Sequence, residues 1–219
     1  MSPIFVRSLP FGLYIALLAL ESLLPDWAPG FDVRWLYPVK AGLVAFALAV
    51  LWRHYTELRS YGLPLKHLLL ALAVGLGVLV LWVNLDAAWM LMGEAGKGYN
   101  PTDESGHIDW LLVAFRIAGA ALVVPIMEEL FWRSFLQRWV QQTDFLILDP
   151  AQIGFKALLV ASALFAVEHL QWLAGLVAGL AYGWLYIRTR NLWAPIIAHS
   201  VTNGALGAYV VTTGHWGFW

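Results

Sequence analysis

"PIMEELFWRSFLQRW", Pro125 to Trp139, lies inside a run that is otherwise apolar from about residue 109 to 140. It sets two adjacent carboxylates, Glu128 and Glu129, and the guanidinium of Arg133 where a spanning segment should be oil. A charge at the centre of a bilayer costs about 2.5–3.5 kcal/mol on insertion scales. Glu129 and Arg133 are spaced i,i+4, so they share a helix face and can neutralise one another. The stretch therefore reads as a membrane helix that carries a polar site. Glu128, about 100° away around the helix, is left without a local partner and free for proton transfer. The competing reading is a structural ion pair beside a neutral Glu128.

The remainder of the chain supports a membrane protein. Of 219 residues, 61% are hydrophobic and 12% charged, and the mean hydropathy is +0.70. Soluble domains carry about 25% charged residues. The expected architecture is all-α: a single polytopic helical domain over 1–219, with about seven or eight transmembrane helices. Its net charge of -1, with no basic patch, excludes nucleic acid as an expected partner. The lack of cysteine excludes disulfides, thiolate metal sites and a cysteine nucleophile together.

Apolar runs of spanning length fall near 8–24, 35–52, 65–92, 109–140, 153–169, 172–187 and 193–213. The first could pass for a signal peptide with small residues near Ala19; the runs that follow favour an uncleaved span. Trp27, Trp35, Trp52, Trp110, Trp139, Trp172 and Trp193 stand near run ends, where amphipathic rings prefer the interface. Most Lys and Arg lie in alternate connections. The other set holds Arg34, Lys97 and the acids Glu94, Asp103 and Glu104, which places the N-terminus inside and the C-terminus outside. The run 109–140 is long for one span, and Pro125 is expected to kink or divide it. Simple threading also sets Glu128 and His169 toward opposite faces.

Other ionisable groups fall within these runs. Lys40 and Asp86 read as snorkelling or interfacial, Glu21 as near a helix end, and Arg116 as a counter-ion for some carboxylate. Two further clusters resist such readings. In "FAVEHL", Phe165 to Leu170, His169 ends an apolar helix with Phe165 one turn earlier, and Glu168 is expected to point elsewhere, solvated or supporting. In "APIIAHSVTN", Ala194 to Asn203, His199 and Asn203 are i,i+4 and could donate two hydrogen bonds to one developing negative charge; a plain helix–helix hydrogen bond is the alternative. Together these residues supply a base, a partner for water and oxyanion donors, the parts that acyl hydrolysis needs. No G-x-S-x-G elbow offers a serine nucleophile, so the nucleophile is an activated water. No cofactor is expected. Zinc or another divalent ion stays open, with Glu128, His169 and His199 as its ligands, although no H-E-x-x-H is present.

The motifs "EELFWR", "FAVEH" and "HSVTN" fit E-E-x-x-x-R, F-x-x-x-H and H-x-x-x-N in order. With "AGLVAGLAYGWLYIRTRNLWAPIIAHSVTN" they resemble the CPBP family, the CAAX proteases and bacteriocin-processing (Abi) enzymes, over roughly residues 125–206. The wording "EELFWRSFLQRW" and "FAVEHLQWLAGLVAGLAY" is most similar to the CAAX-protease-related group associated with exosortase systems. The resemblance implies a helical bundle around an intramembrane cavity, with a motif-bearing core at 109–213 behind variable helices at 1–108. It implies endoproteolysis by a glutamate-activated water: Glu128 as base, His169 holding the water, His199 and Asn203 as oxyanion hole, and Glu129 with Arg133 in support. The implied partners are the bilayer and a membrane-associated peptide or protein, and the implied compartment is the bacterial inner membrane. A non-enzymatic immunity or binding module, or a proton-coupled transporter, is the alternative; the inverted repeats expected of many transporters are not seen.

Overall fold

The computed structural model describes residues 1–27, 30–60, 62–93 and 98–219, with backbone alone over 22–27. The side chain of Trp27, and Glu94 and Lys97, thus lie outside the described residues. Among the described residues seven helices follow the apolar runs: α1 Pro3–Trp27, α2 Leu36–Leu51, α3 Leu65–Trp82, α4 Trp110–Gln141, α5 Phe155–Val167, α6 Trp172–Thr189 and α7 Trp193–Thr213. The described residues form no sheet; Thr102 and Ile108 make one isolated bridge.

The outside of this bundle is as apolar as its inside. On α2, Val39, Leu43, Phe46 and Val50 form an exposed stripe, while Tyr37, Ala41, Val44 and Leu48 on the other face are buried. Apolar residues on both faces give a helix no reason to prefer water on either. Among the described residues four segments are long and apolar enough to cross a bilayer: Pro3–Glu21, Val33–His54, Leu65–Trp82 and Trp110–Gln141. α6 packs through small residues, with Gly175, Gly179 and Gly183 all buried. On α7, Ala194, Ala198, Thr202 and Val210 are all buried.

Three features depart from the sequence reading. The run near 65–92 stops as a helix at Trp82, just before Asn84 and Asp86, and Gln171 Nε2 donates to the Trp82 carbonyl at 3.0 Å. Pro125 does not divide α4. The helix instead widens into π turns at Gly119–Val123 and Leu130–Gln137. The first of these lies immediately upstream of Pro125, where a ring without an N–H would otherwise clash with the preceding turn. Lys40 does not snorkel: it is buried, with Nζ 2.7 Å from Glu21 Oε2.

α5 settles where the site forms. Its 13 residues reach about 20 Å at 1.5 Å per residue, about two thirds of a hydrocarbon core. The helix therefore falls short of a full crossing, and the residues after it meet the middle of the longer α4, where Glu128 and His169 line one cavity. This removes the apparent separation of Glu128 from His169. α3 packs along α7 on the other side, and the approach is close at Gly75. A Cβ there would stand 2.5 Å from the Ala198 carbonyl oxygen.

Candidate active site

α4, α5 and α7 converge on a cavity of about 260 Å³. Glu128, His169, His199 and Asn203 line it; Glu129 and Arg133 do not. The six residues singled out by motif thus divide into a lining set and a pair standing behind it.

The pair behind is almost wholly buried. Arg133 Nε lies 3.1 Å from Glu129 Oε2, and the side chains are 2% and 0% exposed. The guanidinium also sits over the Phe165 ring, 4.5 Å from its centroid. The other oxygen, Glu129 Oε1, lies 3.0 Å from His199 Nδ1. A carboxylate oxygen accepts, so His199 Nδ1 carries the proton and Nε2 faces the cavity, 4.0 Å from Glu128 Oε2. Tyr182 stacks on the His199 ring with centroids 5.0 Å apart and planes at 21°. Its hydroxyl donates to Thr202 Oγ1 at 2.7 Å, and Thr202 donates in turn to the Gly75 carbonyl at 2.8 Å. His199 is held by a carboxylate at one edge and by an anchored ring on one face.

The lining residues have a different character. Glu128 is buried, and its Oε2 has no hydrogen-bond partner among the described residues. His169 Nδ1 is 2.7 Å from the Phe165 carbonyl oxygen, which can only accept, so Nδ1 donates and Nε2 is left as the acceptor. Asn203 Nδ2 donates to the Ala120 carbonyl at 2.9 Å. An amide nitrogen has two hydrogens, so one remains for a ligand.

Two expectations change here. Glu168 does not point away. α5 ends at Val167, the chain turns, and Glu168 lines the same cavity. Donor atoms of Glu128, Glu168 and His169 lie within 4.8 Å of one another, with Glu168 the most accessible of the three. This is a different trio from Glu128, His169 and His199. Arg116 also lines the cavity, but its contacts are the rings of Tyr37 at 4.2 Å and Tyr99 at 5.2 Å, not a carboxylate. Tyr182 was not singled out in the sequence either; its place eight residues after Ala174 in an apolar helix gives no signal of a ring stacked on His199.

Part of the chain is similar to known proteins. Residues 110–205 match the family model described as type II CAAX prenyl endopeptidase Rce1-like. Over 95 residues the chain is 30% identical to "Putative membrane peptidase YdiL" of Bacillus subtilis (strain 168), a match that takes in 42% of this chain and 35% of that relative. No solved structure matches the chain.

Proposed function

Because residues 110–205 match the Rce1-like family model, we propose that this integral membrane protein is an intramembrane endopeptidase of the CAAX protease (CPBP) family in which Glu128 activates a water. The observation that carries the proposal is the unpartnered, buried Glu128 oxygen facing His169 and His199 across one cavity. His169 Nε2, fixed as an acceptor, holds the water. Glu128 removes a water proton as the oxygen attacks the carbonyl carbon of the scissile peptide. The oxyanion that forms accepts the free Asn203 N–H and, from a doubly protonated ring, His199 Nε2–H. Glu129 supplies the counter-charge for that ring, and Arg133 pairs with Glu129 and holds it in place. Glu128 then passes its proton to the leaving nitrogen as the C–N bond breaks, giving one carboxyl and one amine product. The substrate is a membrane-associated peptide or protein, and the site of action is the bacterial cytoplasmic membrane, where helical bundles rather than barrels are the usual architecture.

One observation favours a second reading. A divalent ion fits the trio of Glu128, Glu168 and His169, whose donor atoms gather within 4.8 Å. His169 has the arrangement usual for a ligand, with one ring nitrogen on a carbonyl and the other free. A bound ion would supply Lewis-acid activation of the water, with Glu168 and His169 as added holders of it.

Termini-resolved mass spectrometry of membranes making wild type or Glu128→Ala at matched levels tests the function. New peptide termini confined to the wild type are expected; identical termini, with the variant folded, would refute it. Adding a chelator to the purified enzyme separates the two readings. Undiminished turnover supports water activated by Glu128 alone, and loss restored by zinc or manganese supports the metal.

A further inference from the structure

The cavity has a second polar end. Arg116, Ala120, Val124 and Glu128 all line it, at i,i+4 spacing along one face of α4. Arg116 thus stands twelve residues before Glu128, about 18 Å of helix axis away. Its Nε is buried without a hydrogen-bond partner, and no carboxylate among the described residues is in ion-pair contact with it. The acids of the neighbouring elements are already held by other cations, Glu21 by Lys40 at 2.7 Å and Asp32 by Arg34 at 2.7 Å.

Beside Arg116 is a second unsatisfied donor. Tyr37 is 2% exposed and lines the cavity, and its hydroxyl finds no acceptor among the described residues; its charged neighbour, the Arg116 guanidinium, can only donate. The fold makes room for that hydroxyl. A Cβ at Gly119 would stand 2.8 Å from Tyr37 Oη, and Gly119 opens the π turn that widens α4 at this level. A buried hydroxyl and a buried guanidinium nitrogen left unpaired each cost free energy that most folded proteins do not leave uncompensated.

We propose that Arg116 and Tyr37 form an anion subsite that binds a carboxylate of the peptide substrate. The guanidinium presents parallel N–H donors that fit the two oxygens of a carboxylate, and the Tyr37 hydroxyl adds a third donor. A peptide is the ligand because this end is continuous with the cavity that holds Glu128, His169 and Asn203, so whatever reaches both ends is the chain placed for cutting. At about 3.3 Å per extended residue, the carboxylate falls within about five residues of the scissile bond. The subsite rests on the endopeptidase reading for what is cut, but not for what binds.

Binding in a catalytically silent background tests it. Glu128→Gln protein in phosphatidylcholine nanodiscs is titrated with three probes: acetyl-tetraleucine with a free carboxylate, its C-terminal amide, and an amidated analogue with one glutamate side chain. The free acid is expected to bind at least about ten-fold tighter than the amide, the effect of one charge-assisted contact. The glutamate probe shows whether a side-chain carboxylate serves as well as a terminal one. Adding Arg116→Gln should erase the preference, Arg116→Lys should keep part of it, and Tyr37→Phe should weaken acid binding several-fold. Equal binding of acid and amide overturns the subsite. So does a preference that survives Arg116→Gln or, should that variant not fold, one unchanged in both Arg116→Lys and Tyr37→Phe. If phosphatidylglycerol in the nanodisc abolishes acid binding through Arg116, the pocket belongs to a lipid headgroup and the peptide assignment fails. An acid preference without hydrolysis by the wild type would retain the subsite and refute the endopeptidase. Hydrolysis without the preference would do the reverse.

Discussion

α4 carries two clusters of buried charge little more than a turn apart. Toward its end, Ser134 and Arg138 meet Arg7 of α1 and Glu57 of the α2–α3 connection. Arg7 donates to both Glu57 oxygens, at 2.7 and 2.6 Å, and Arg138 lies 3.6 Å from Glu57 Oε1. Arg138 also donates to the Ser134 carbonyl at 2.6 Å, and the Ser134 hydroxyl reaches Glu57. No buried side-chain atom of these four lacks a partner among the described residues. The cluster around Glu128 is built otherwise: Glu129 and Arg133 form an ion pair behind the lining, and Glu128 Oε2, Glu129 Oε2 and Arg133 Nη1 all lack a hydrogen-bond partner among the described residues. A saturated network ties helices together, because each member would be costly to leave alone. An unsaturated one keeps donor and acceptor capacity for a ligand. Buried charge by itself does not tell the two apart; the count of unmet hydrogen bonds does.

If that distinction is right, Glu128→Gln and Glu57→Gln fail in opposite ways. Glu128→Gln should cut peptide hydrolysis by about 10²–10⁴-fold, the usual worth of a general base, and leave the melting temperature nearly unchanged. An equally large fall in stability would move Glu128 to the structural class. Glu57→Gln should strand Arg7 and Arg138 in a buried site and destabilise the bundle by about 3–5 kcal/mol, the cost of breaking a buried pair. Chemical denaturation of the reconstituted protein measures that loss. Activity per folded molecule should hold; were activity lost without stability, Glu57 would belong to the chemistry.

Much of this was open to sequence reading, for definite reasons. Apolar runs marked all seven helices because both faces of a membrane helix are apolar. Tryptophans marked their ends: Trp35, Trp52, Trp110, Trp172 and Trp193 stand at or beside helix termini. Glu129–Arg133 was legible because its partners are i,i+4 on one helix, where spacing alone fixes the contact. The misses at Glu168, Lys40 and Arg116 depend on where a helix ends or on how helices pack. Helical periodicity turned Glu168 away from the cavity, yet the helix ends one residue before it, and the periodicity ends there too. The Lys40–Glu21 pair joins α1 to α2, and Arg116 rests on rings from α2 and from the loop before α4. No spacing along one helix contains either contact.

A smaller effect sharpens the comparison within the cavity itself. Asn203 can be an oxyanion donor or a helix tie, since Nδ2 already donates to the Ala120 carbonyl. Asn203→Ala should lower kcat by about 10²–10³-fold with KM little changed, the signature of a donor used in the transition state. Loss of the tie alone would cost only about 1 kcal/mol of stability. A variant with normal kcat and a lowered melting point would assign Asn203 to the saturated class.

The mildest test leaves the sequence unaltered and changes only pH. Burial alone would raise the Glu57 carboxyl, but the Arg7 hydrogen bonds and charge, with Ser134, hold it below the ordinary glutamate value. The unfolded chain then binds more protons than the folded one as the medium turns acid. Stability from this cluster is therefore complete above the unfolded value, about pH 4.3, and is lost as pH falls through the lower folded value. The melting temperature should change little through Glu57 from neutral pH to about pH 5 and fall below about pH 4. Glu57→Gln lacks that contribution, so the gap between wild type and variant should narrow over the same acid range. A gap that stays constant to pH 3 would mean the Glu57 charge is not what holds Arg7 and Arg138, and the saturated network would then owe its stability to packing and to Ser134.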